Sequence, residues 1–471
     1  MTAWATLGVG VTMVLFSCSS GEAAAPSFQG VGDLPGGSFY SLALDVSGDG
    51  LVVVGTSVVS GSYPYDPQFG AFRWENGVMT ALGDLPGGIF ESMAWGASAD
   101  GSVIVGQAHS TNGYEAFRWE NGVMSGLGPR EAYATSADGS VVVGMGGQAF
   151  RWENGVMSGL GDFPGGLFLS FAYGVSADGS VVVGYGSTPD DYLAALWQDG
   201  VMTALGSLPE GHASSSTSVG ISADGSVVVG WSTSDASAWY EAFRWENGVM
   251  APLQAWPGGF HTMSAAADAS GDGSVVVGKC QITYDAPREA FIWTAATGVL
   301  ELRDVLTALG LDLGEWGLHL AWGVSDDGLT IVGEGWSPNN ADEGWIATLP
   351  SDWIEQVTHE LSVSIAKSDW AGWGTVDLEP NLARYFVGKA VTLTALPNEG
   401  IAFSRWRIWD PNHPNDPRYI TTDANNPLTL VMTADRQVVA VFRCAPGGGM
   451  LPMLSVMLAT PGLFLLLRRK A

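Results

Sequence analysis

The stretch Ser98–Gly106, which reads Ser-Ala-Asp-Gly-Ser-Val-Ile-Val-Gly, decides the fold, because seven versions of it occur along the chain. Asp-Gly predicts a tight turn with a positive φ at its centre, and the β-branched run after it is too short and wrongly spaced for a helix. We therefore expect a hairpin with a buried second strand. Val103–Val105 is apolar on both alternating faces, which indicates a sheet that is covered on both sides.

The spacing of these turns indicates the architecture. Their glycines are Gly50, Gly101, Gly139, Gly179, Gly225, Gly273 and Gly328. Successive turns are 38 to 55 residues apart, a period typical of propeller blades or helical arrays. Each unit carries a second hairpin signal, the Asn-Gly of Arg118–Met124 being one example, which excludes helical arrays. Two hairpins make a four-stranded meander, and blades stacked around an axis cover both faces of every sheet.

The last unit lacks a strand, and the start of the chain can supply it. The pattern stops after a third strand at Gly344–Pro350, whereas Gln29–Gly37 matches the end of the first full unit, Thr80–Gly88. We predict that residues near Phe28 to Leu34 close the ring and remove its exposed edges. The predicted fold class is all-β, a seven-bladed β-propeller of four-stranded meanders, with a small β-rich C-terminal module and a terminal apolar helix.

The composition suits this class. Charged residues make up 14% of the chain, hydrophobic residues 46%, and glycine 65 positions, as expected for short strands joined by tight turns. With 19 Lys and Arg against 48 Asp and Glu, the net charge of −29 repels phosphate backbones. We therefore expect no nucleic-acid partner. Cations and basic surfaces remain compatible with the charge.

Both ends of the chain indicate export. The apolar run Ala5–Phe16 and the small residues Ala23–Ala25 resemble a secretory signal peptide over residues 1–25, with lipidation of Cys18 as an alternative. The tail, residues 447–471, has an apolar segment at Met450–Leu467 followed by Arg468–Lys470. It resembles the C-terminal sorting tails of bacterial surface proteins, and a plain single-pass membrane anchor is the alternative. We expect a cell-surface or extracellular protein that contacts the membrane through this tail.

The repeat unit is similar to a known bacterial family. The motifs Ser-Ala-Asp-Gly-Ser-Val-Val-Val-Gly, Ala-Phe-Arg-Trp and Leu-Gly-Asp-Leu-Pro-Gly-Gly resemble those of the extracellular HAF-type repeats, over Phe28–Pro350. The resemblance implies an exported β-rich repeat protein, here assigned to residues 26–350, without known catalytic residues.

A second resemblance covers the segment after the propeller. Gly372–Val376, Gly388–Ala395, Gly400–Trp406 and Val438–Phe442 look like the divergent internalin-type B repeat. That family implies a small β-rich module, here residues 355–443, which we interpret as a stalk or adhesion element.

The repeated carboxylates have a structural explanation. Asp100, Asp138, Asp178 and Asp224 are interpreted as turn residues rather than as a carboxylate array. The turn also resembles the aspartate boxes of sialidases. A sialidase site needs clustered arginines, whereas Arg73, Arg118, Arg151 and Arg244 occupy one equivalent repeat position and are predicted to be structural.

Two of the turns also allow a cation. Asp45–Gly50 and Asp268–Gly273 resemble the first half of a calcium loop, but Thr56 and Lys279 stand at the twelfth position. Calcium is therefore kept as an alternative to plain turns, and no other cofactor, metal ligand or catalytic residue is predicted. Cys280 and Cys444 could pair or remain free.

A ligand is expected where the repeats vary. The joins between second and third strands and between units emerge on one face, called the loop face, whereas the Asp-Gly and Asn-Gly turns emerge on the other, called the turn face. The candidate binding residues on the loop face are Tyr63, Tyr65, Asp66, Asp190, Asp191, Tyr192, Trp239 and Tyr240. Aromatic rings beside carboxylates suit an extracellular glycan or a protein partner, and solvated loops with incidental aromatics are the alternative.

The functional hypothesis is an exported, surface-displayed binding or structural protein. The alternative is a secreted propeller enzyme acting on polysaccharide, in the manner of a glycosidase or lyase. Since no non-repeated acid or base cluster is visible, the sequence favours a protein without catalysis.

Overall fold

The computed structural model describes residues 24–208, 215–234, 240–253, 263–281, 286–365, 374–379, 381–399, 401–409 and 420–444. Seven four-stranded antiparallel sheets, called blades 1 to 7, occupy the chain up to Thr348, and two further sheets follow. The predicted all-β propeller is thereby confirmed. The predicted terminal apolar helix and nearly all of the predicted signal peptide lie outside the described residues. No helix within them is long and apolar enough to cross a membrane.

The strands of the seven blades are β1 (Ser27–Gly30), β2 (Ser41–Val46), β3 (Val52–Ser60), β4 (Gln68–Glu75), β5 (Val78–Gly83), β6 (Gly87–Ala97), β7 (Val103–Ser110), β8 (Gly113–Glu120), β9 (Val123–Pro129), β10 (Glu131–Thr135), β11 (Val141–Met145), β12 (Ala149–Glu153), β13 (Val156–Gly159), β14 (Ser170–Val175), β15 (Val181–Ser187), β16 (Tyr192–Gln198), β17 (Val201–Gly206), β18 (Ser216–Ile221), β19 (Val227–Ser232), β20 (Glu241–Glu246), β21 (Val249–Pro252), β22 (Met263–Ala269), β23 (Val275–Gln281), β24 (Glu289–Thr294), β25 (Gly298–Glu301), β26 (Gly317–Val324), β27 (Thr330–Trp336) and β28 (Asp342–Thr348). Blade 1 is β2–β5, each later blade takes the next four strands, and blade 7 is β26–β28 with β1 at its outer edge. The helix α1 (Leu302–Ala308) follows β25, and α2 (Trp353–Val357) follows blade 7.

The repeated stretch folds as a hydrogen-bonded turn. Ser98 Oγ donates to Asp100 Oδ1 at 2.9 Å and accepts the amide of Val103 at 3.0 Å, while Asp100 Oδ1 also accepts the amide of Ser102. Gly101 has a φ of +63°, the left-handed conformation that glycine adopts without strain. The serine and aspartate side chains therefore satisfy the backbone that the turn leaves unpaired.

The buried second strand packs in both directions. Ile104 belongs to a core cluster with Val54 of blade 1, and Val105 belongs to another with Phe150 of blade 3. All four side chains are at most 2% exposed. Each blade thus supplies one apolar face to each neighbour, which explains why the valine run does not alternate with polar residues.

Seven backbone hydrogen bonds close the ring on the turn face. In blades 2 to 7 the residue after the turn serine donates its amide to the carbonyl of the equivalent residue in the next blade, as in Ala99 N to Ala137 O at 3.0 Å, whereas in blade 1 the donor is Asp49, two residues after Ser47. The last two members are Asp326 N to Gly48 O and Asp49 N to Ala99 O, each 2.9 Å. Every blade is therefore bonded to both of its neighbours.

The N-terminal strand completes blade 7. β1 pairs antiparallel with β28, Phe28 facing Ala347 and Gly30 facing Trp345. Phe28 also packs edge-on against Trp316, with ring centroids 5.3 Å apart. The strand that the repeat pattern lacks after Thr348 is thus contributed by the other end of the propeller, as the sequence leads us to expect.

The repeated arginines join neighbouring blades. Arg118 Nε donates to the carbonyl of Gly139, the turn glycine of the next blade, at 3.1 Å, and its guanidinium pairs with Glu120 at 2.7 Å. Arg151 and Arg244 make the equivalent bonds to Gly179 and Gly273. Their predicted structural role agrees with these contacts.

The C-terminal module consists of β29 (Thr358–Ile365), β30 (Gly374–Glu379), β31 (Arg384–Phe386), β32 (Ala390–Pro397), β33 (Ile401–Trp409), β34 (Ile420–Asp423), β35 (Leu428–Val431) and β36 (Arg436–Cys444). They form a five-stranded sheet in the order β31-β29-β36-β33-β34 and a three-stranded sheet in the order β30-β32-β35. Phe386 packs in one cluster with Trp353 of α2 and Leu302 of α1, and Arg384 N donates to Ala296 O at 3.0 Å. The module is therefore seated on the last two blades.

Cys280 is a buried free thiol on β23, with Sγ donating to Glu289 O at 3.5 Å. Burial raises the pKa of this thiol to about 12. Cys18 and the side chain of Cys444 lie outside the described residues.

Candidate ligand-binding cavity

A cavity of about 800 Å³ runs along the propeller axis, lined by residues of all seven blades. Its size lies within the range of small-molecule and cofactor sites. The inner strand of every blade contributes the residue three positions before the turn serine. These residues are Leu44, Trp95, Tyr133, Tyr173, Val219, Ala267 and Trp322.

A β-bulge turns each of these side chains toward the axis. The register of every inner strand shifts at this position, between Ala43 and Asp45 in blade 1 and between Ala172 and Gly174 in blade 4. Equivalent shifts occur in the other five blades. Because a bulge leaves one residue unpaired and re-aims its side chain, the seven bulges together build the cavity wall.

A belt of aromatic rings covers the wall from blade 2 to blade 4. Ring centroids are 6.2 Å apart between Trp95 and Tyr133, and 4.9 Å apart between Tyr133 and Tyr173. Tyr185 stacks on Phe171 at 4.8 Å and meets Tyr192 edge-on at 5.6 Å. Trp231 of blade 5 extends this surface. The belt offers apolar ring faces together with several hydroxyl groups.

Some polar atoms of the belt are paired with one another. Tyr133 donates its hydroxyl to Glu131, and Tyr173 and Tyr185 are hydrogen-bonded through their hydroxyls. The indole N–H of Trp95 is buried and has no hydrogen-bond partner. A ligand that accepts a hydrogen bond here would relieve the cost of that unpaired donor.

Two carboxyl groups lie among these rings. Asp45 Oδ1 accepts the amide of Val46 at 2.8 Å and its Oδ2 accepts that of Ala97 in blade 2 at 2.9 Å. Asp268 Oδ2 accepts the amide of Val324 in blade 7 at 3.0 Å. Burial raises the pKa of Asp45 to about 7. Burial, followed by repulsion from Asp45, raises the pKa of Asp268 well above its usual range.

Only some of the predicted binding residues lie at or near the cavity. Tyr192 lines the cavity, and the ring of Tyr240 packs against Trp231 at 5.5 Å. Tyr63 stacks on Tyr40, with centroids 4.2 Å apart, and Tyr65 is 91% exposed. Asp66, Asp190 and Asp191 are not among the residues that line the cavity. Trp239 lies outside the described residues.

The join between the second and third strands of blade 1 lies at the end of a long hairpin. β3 continues to Ser60 and β4 starts at Gln68. The hairpin extends because Ser57 and Gly70 pair in register and Ser60 Oγ donates to Gln68 Oε1 at 2.5 Å. Tyr63 and Tyr65 therefore stand at the tip of a longer hairpin.

The calcium-like stretches use their oxygens internally. Asp49 Oδ1 accepts Ser47 Oγ at 2.6 Å and the amide of Leu51 at 3.1 Å, while Asp45 turns toward the axis. Among the described residues, no group of three or more His, Cys, Asp or Glu is arranged to hold a metal ion.

The sequence did contain a signal for the cavity. The residue after the Val-Val-Val-Gly run differs in every blade, although the preceding residues repeat. These residues are Thr56, Gln107, Met145, Tyr185, Trp231, Lys279 and Glu334. Gln107, Tyr185 and Trp231 line the cavity. Variation at this one position of an otherwise constant repeat therefore indicates a ligand site at the propeller axis rather than at the loop tips.

Comparison with known proteins assigns the module. Residues 371–446 match the family model described as the divergent InlB B-repeat domain. The resemblance predicted for this segment is confirmed. No curated protein sequence matches the chain.

Parts of this chain are similar to solved structures. The propeller domain of the trilobed protease from Pyrococcus furiosus is 10% identical with a TM-score of 0.43, covering 65% of this chain and 92% of that chain. Oligogalacturonate lyase from Vibrio parahaemolyticus is 10% identical with a TM-score of 0.40, covering 70% and 99%. TolB from Acinetobacter baumannii is 16% identical with a TM-score of 0.31, covering 44% of this chain and 52% of that chain. This chain thus spans about half the length of that TolB.

Proposed function

We propose that the chain is an exported, surface-displayed binding protein that takes an extracellular glycan on the loop face, with part of the glycan entering the central cavity. The observation that carries this proposal is the aromatic belt inside the cavity. Sugar rings present apolar C–H faces and a rim of hydroxyls, and partly exposed tyrosines offer matching ring faces and hydroxyls. Tyr192 connects the belt to the variable loops.

Export and surface display rest on the two ends of the chain. Residues 1–25 have the character of a signal peptide, and residues 447–471 that of a sorting tail or membrane anchor. The HAF-type repeat pattern and the B-repeat module are further support. Digestion of intact cells with an external protease tests this part. The propeller should be cleaved from the outside, and full protection in intact cells would contradict surface display.

A glycan array followed by titration calorimetry tests the binding function. The full chain should bind at least one oligosaccharide, and Tyr185→Ala should weaken that binding by roughly tenfold or more because a stacking face is lost. Tyr65→Ala is the matched control, since it removes a tyrosine of the same face that is 91% exposed and does not line the cavity. A blank array, or equal losses in both variants, would contradict the proposal.

A second candidate, a secreted propeller enzyme acting on polysaccharide, is favoured by Asp45 and Asp268. Glycosidases commonly use two carboxyl groups, one of which stays protonated near neutral pH. Both oxygens of Asp45 accept backbone amides, however, and such bonds stabilise the anion rather than a proton donor. Release of new reducing ends or unsaturated products from polysaccharides, lost in Asp45→Asn, would support catalysis instead of binding alone.

A further inference from the structure

We propose that the cavity selects glycans that carry an unsubstituted amine, whose ammonium group is held by the carboxyl groups of Asp45 and Asp268. This inference rests on the proposed binding function and names the feature of the ligand that the cavity recognises.

The two aspartates depart from their repeat position. Both lie two residues before the turn serine, where the other five blades have Gly96, Ala134, Gly174, Gly220 and Gly323. Small residues at this position let adjacent inner strands approach closely. Asp45 and Asp268 alone introduce charged groups there, on the two blades that flank blade 7.

The two carboxyl groups converge on one strand. Asp45 Oδ1 would lie 3.1 Å from a Cβ built on Gly323, and Asp268 Oδ2 accepts the amide of the next residue, Val324. The glycine leaves room between the two side chains that a larger residue would fill. The pair can therefore approach a single cationic group from two sides.

Asp45 can accept further hydrogen bonds besides those from the two backbone amides. Each carboxylate oxygen takes one backbone amide, and each retains a second lone pair. The amides fix the orientation of the carboxylate before the ligand arrives. An ammonium group, with three donors, suits such a preorganised acceptor.

The surrounding charge also favours a cation. The described residues that line the cavity include Asp45, Glu131 and Asp268 and no Lys, Arg or His. Asp326, on the adjacent turn, adds repulsion to both aspartates. Ring faces such as that of Trp322 attract cations through their quadrupole. An ammonium group would thus relieve the repulsion between the carboxyls, which a neutral or anionic sugar cannot do.

The test compares three β-1,4-linked tetrasaccharides by calorimetry on the full chain. They are made of glucosamine, N-acetylglucosamine and glucose, and the pH is kept below the pKa of the sugar amine. We expect the glucosamine oligomer to bind roughly tenfold or more tightly than the other two. Its binding should also release protons from Asp45 and Asp268, so that the measured enthalpy changes with the ionisation enthalpy of the buffer.

Matched variants distinguish the effect of the carboxylate charge from an effect of misfolding. Asp45→Asn with Asp268→Asn keeps the size of each side chain and one carbonyl oxygen, which at position 45 can accept one of the two backbone amides, and should remove both the preference and the proton release. Asp199→Asn with Asp352→Asn removes two exposed carboxyl groups that do not line the cavity and should change neither. Thermal unfolding verifies that the variants are folded.

The results distinguish failure of the amine inference from failure of the proposed binding function. Equal binding of the three oligomers, or a preference that survives in the double variant, overturns the amine inference while the binding function stands. Absence of binding to all three oligomers overturns the inference as well, and a blank glycan array in addition overturns the binding function.

Discussion

The turn face and the central cavity carry carboxylates of opposite character. Hydrogen bonds from backbone amides, followed by those from serine hydroxyls, lower the pKa of Asp138 and Asp178 on the turn face to about 2. Burial raises the pKa of Asp45, only four residues from a turn aspartate, to about 7. The repeated aspartates accept hydrogen bonds from within their own turns, whereas the two exceptional aspartates face the axis. Positions that hold the same residue in every blade therefore build the scaffold, and positions that differ between blades build the candidate site.

The largest loss of stability is expected at a glycine of the constant Val-Val-Val-Gly run, where no side chain fits. In Gly184→Ala the new Cβ would lie 1.8 Å from the carbonyl oxygen of Phe171, so β14 and β15 must separate. We expect a loss of about 3 kcal/mol or more in the free energy of unfolding, measured with urea. Tyr185→Phe, at the adjacent variable position, should cost less than about 1 kcal/mol. Similar losses of stability in Gly184→Ala and Tyr185→Phe would contradict the distinction between constant and variable positions of the repeat.

A smaller effect is expected in the turn itself. Ser176 Oγ is buried, accepts the amide of Val181 at 3.0 Å and donates to Asp178 at 2.7 Å. Ser176→Ala leaves that amide with one acceptor fewer and should cost about 1–3 kcal/mol. The control is Ser180→Ala, an exposed position in the same turn, where less than about 0.5 kcal/mol is expected. A neutral Ser176→Ala would show that the repeated serine is not structural.

The two carboxylate classes predict opposite pH dependences. Asp45 has a folded-state pKa above its unfolded value near 4, so the native state binds more protons between about pH 4 and 7, and stability falls as the pH rises through this window. Asp45→Asn should remove about 1–2 kcal/mol of this decline. Asp138 has a lowered pKa, so its contribution is present above about pH 4 and is lost toward pH 2.

Urea titrations at several pH values compare the two variants. Asp138→Asn should lose the stabilisation present above about pH 4 and flatten the acid limb below it, while the slope of stability against pH in the neutral region stays unaltered. If Asp45→Asn leaves the slope between pH 4 and 7 unchanged, the two carboxyl classes do not differ as described.

The smallest effect is expected for the arginines that join neighbouring blades. The Arg118–Glu120 pair is partly exposed, and exposed pairs contribute little. Arg118→Lys keeps the charge but loses the directed bond to Gly139 O, and should cost less than about 1 kcal/mol. A loss above about 2 kcal/mol in urea unfolding would give these arginines a larger share of blade adhesion than the geometry indicates.

The sequence was sufficient for the scaffold because its signals are local. The Asp-Gly and Asn-Gly turns set the hairpins, the valine run required cover on both sides, and the duplicate at Gln29–Gly37 revealed the closing strand. Each of these inferences needs only a few neighbouring residues and the known geometry of turns and strands.

The cavity could not be derived in the same way. Its wall joins one residue from each of seven strands that are far apart in the chain, and a bulge decides which residue points to the axis. Alternation alone does not predict that bulge. The prediction therefore favoured long aromatic loops such as that of Tyr65, whereas the residue after each Val-Val-Val-Gly run was the more informative position.

The most direct test of the account is a comparison of the dissociation constants of Tyr185→Ala and Tyr65→Ala for an oligosaccharide that the full chain binds, with thermal unfolding measured on both. We predict roughly tenfold weaker binding in Tyr185→Ala, wild-type affinity in Tyr65→Ala, and both variants folded. Wild-type affinity in Tyr185→Ala together with a loss in Tyr65→Ala would place the ligand on the loop tips and contradict the assignment of the cavity.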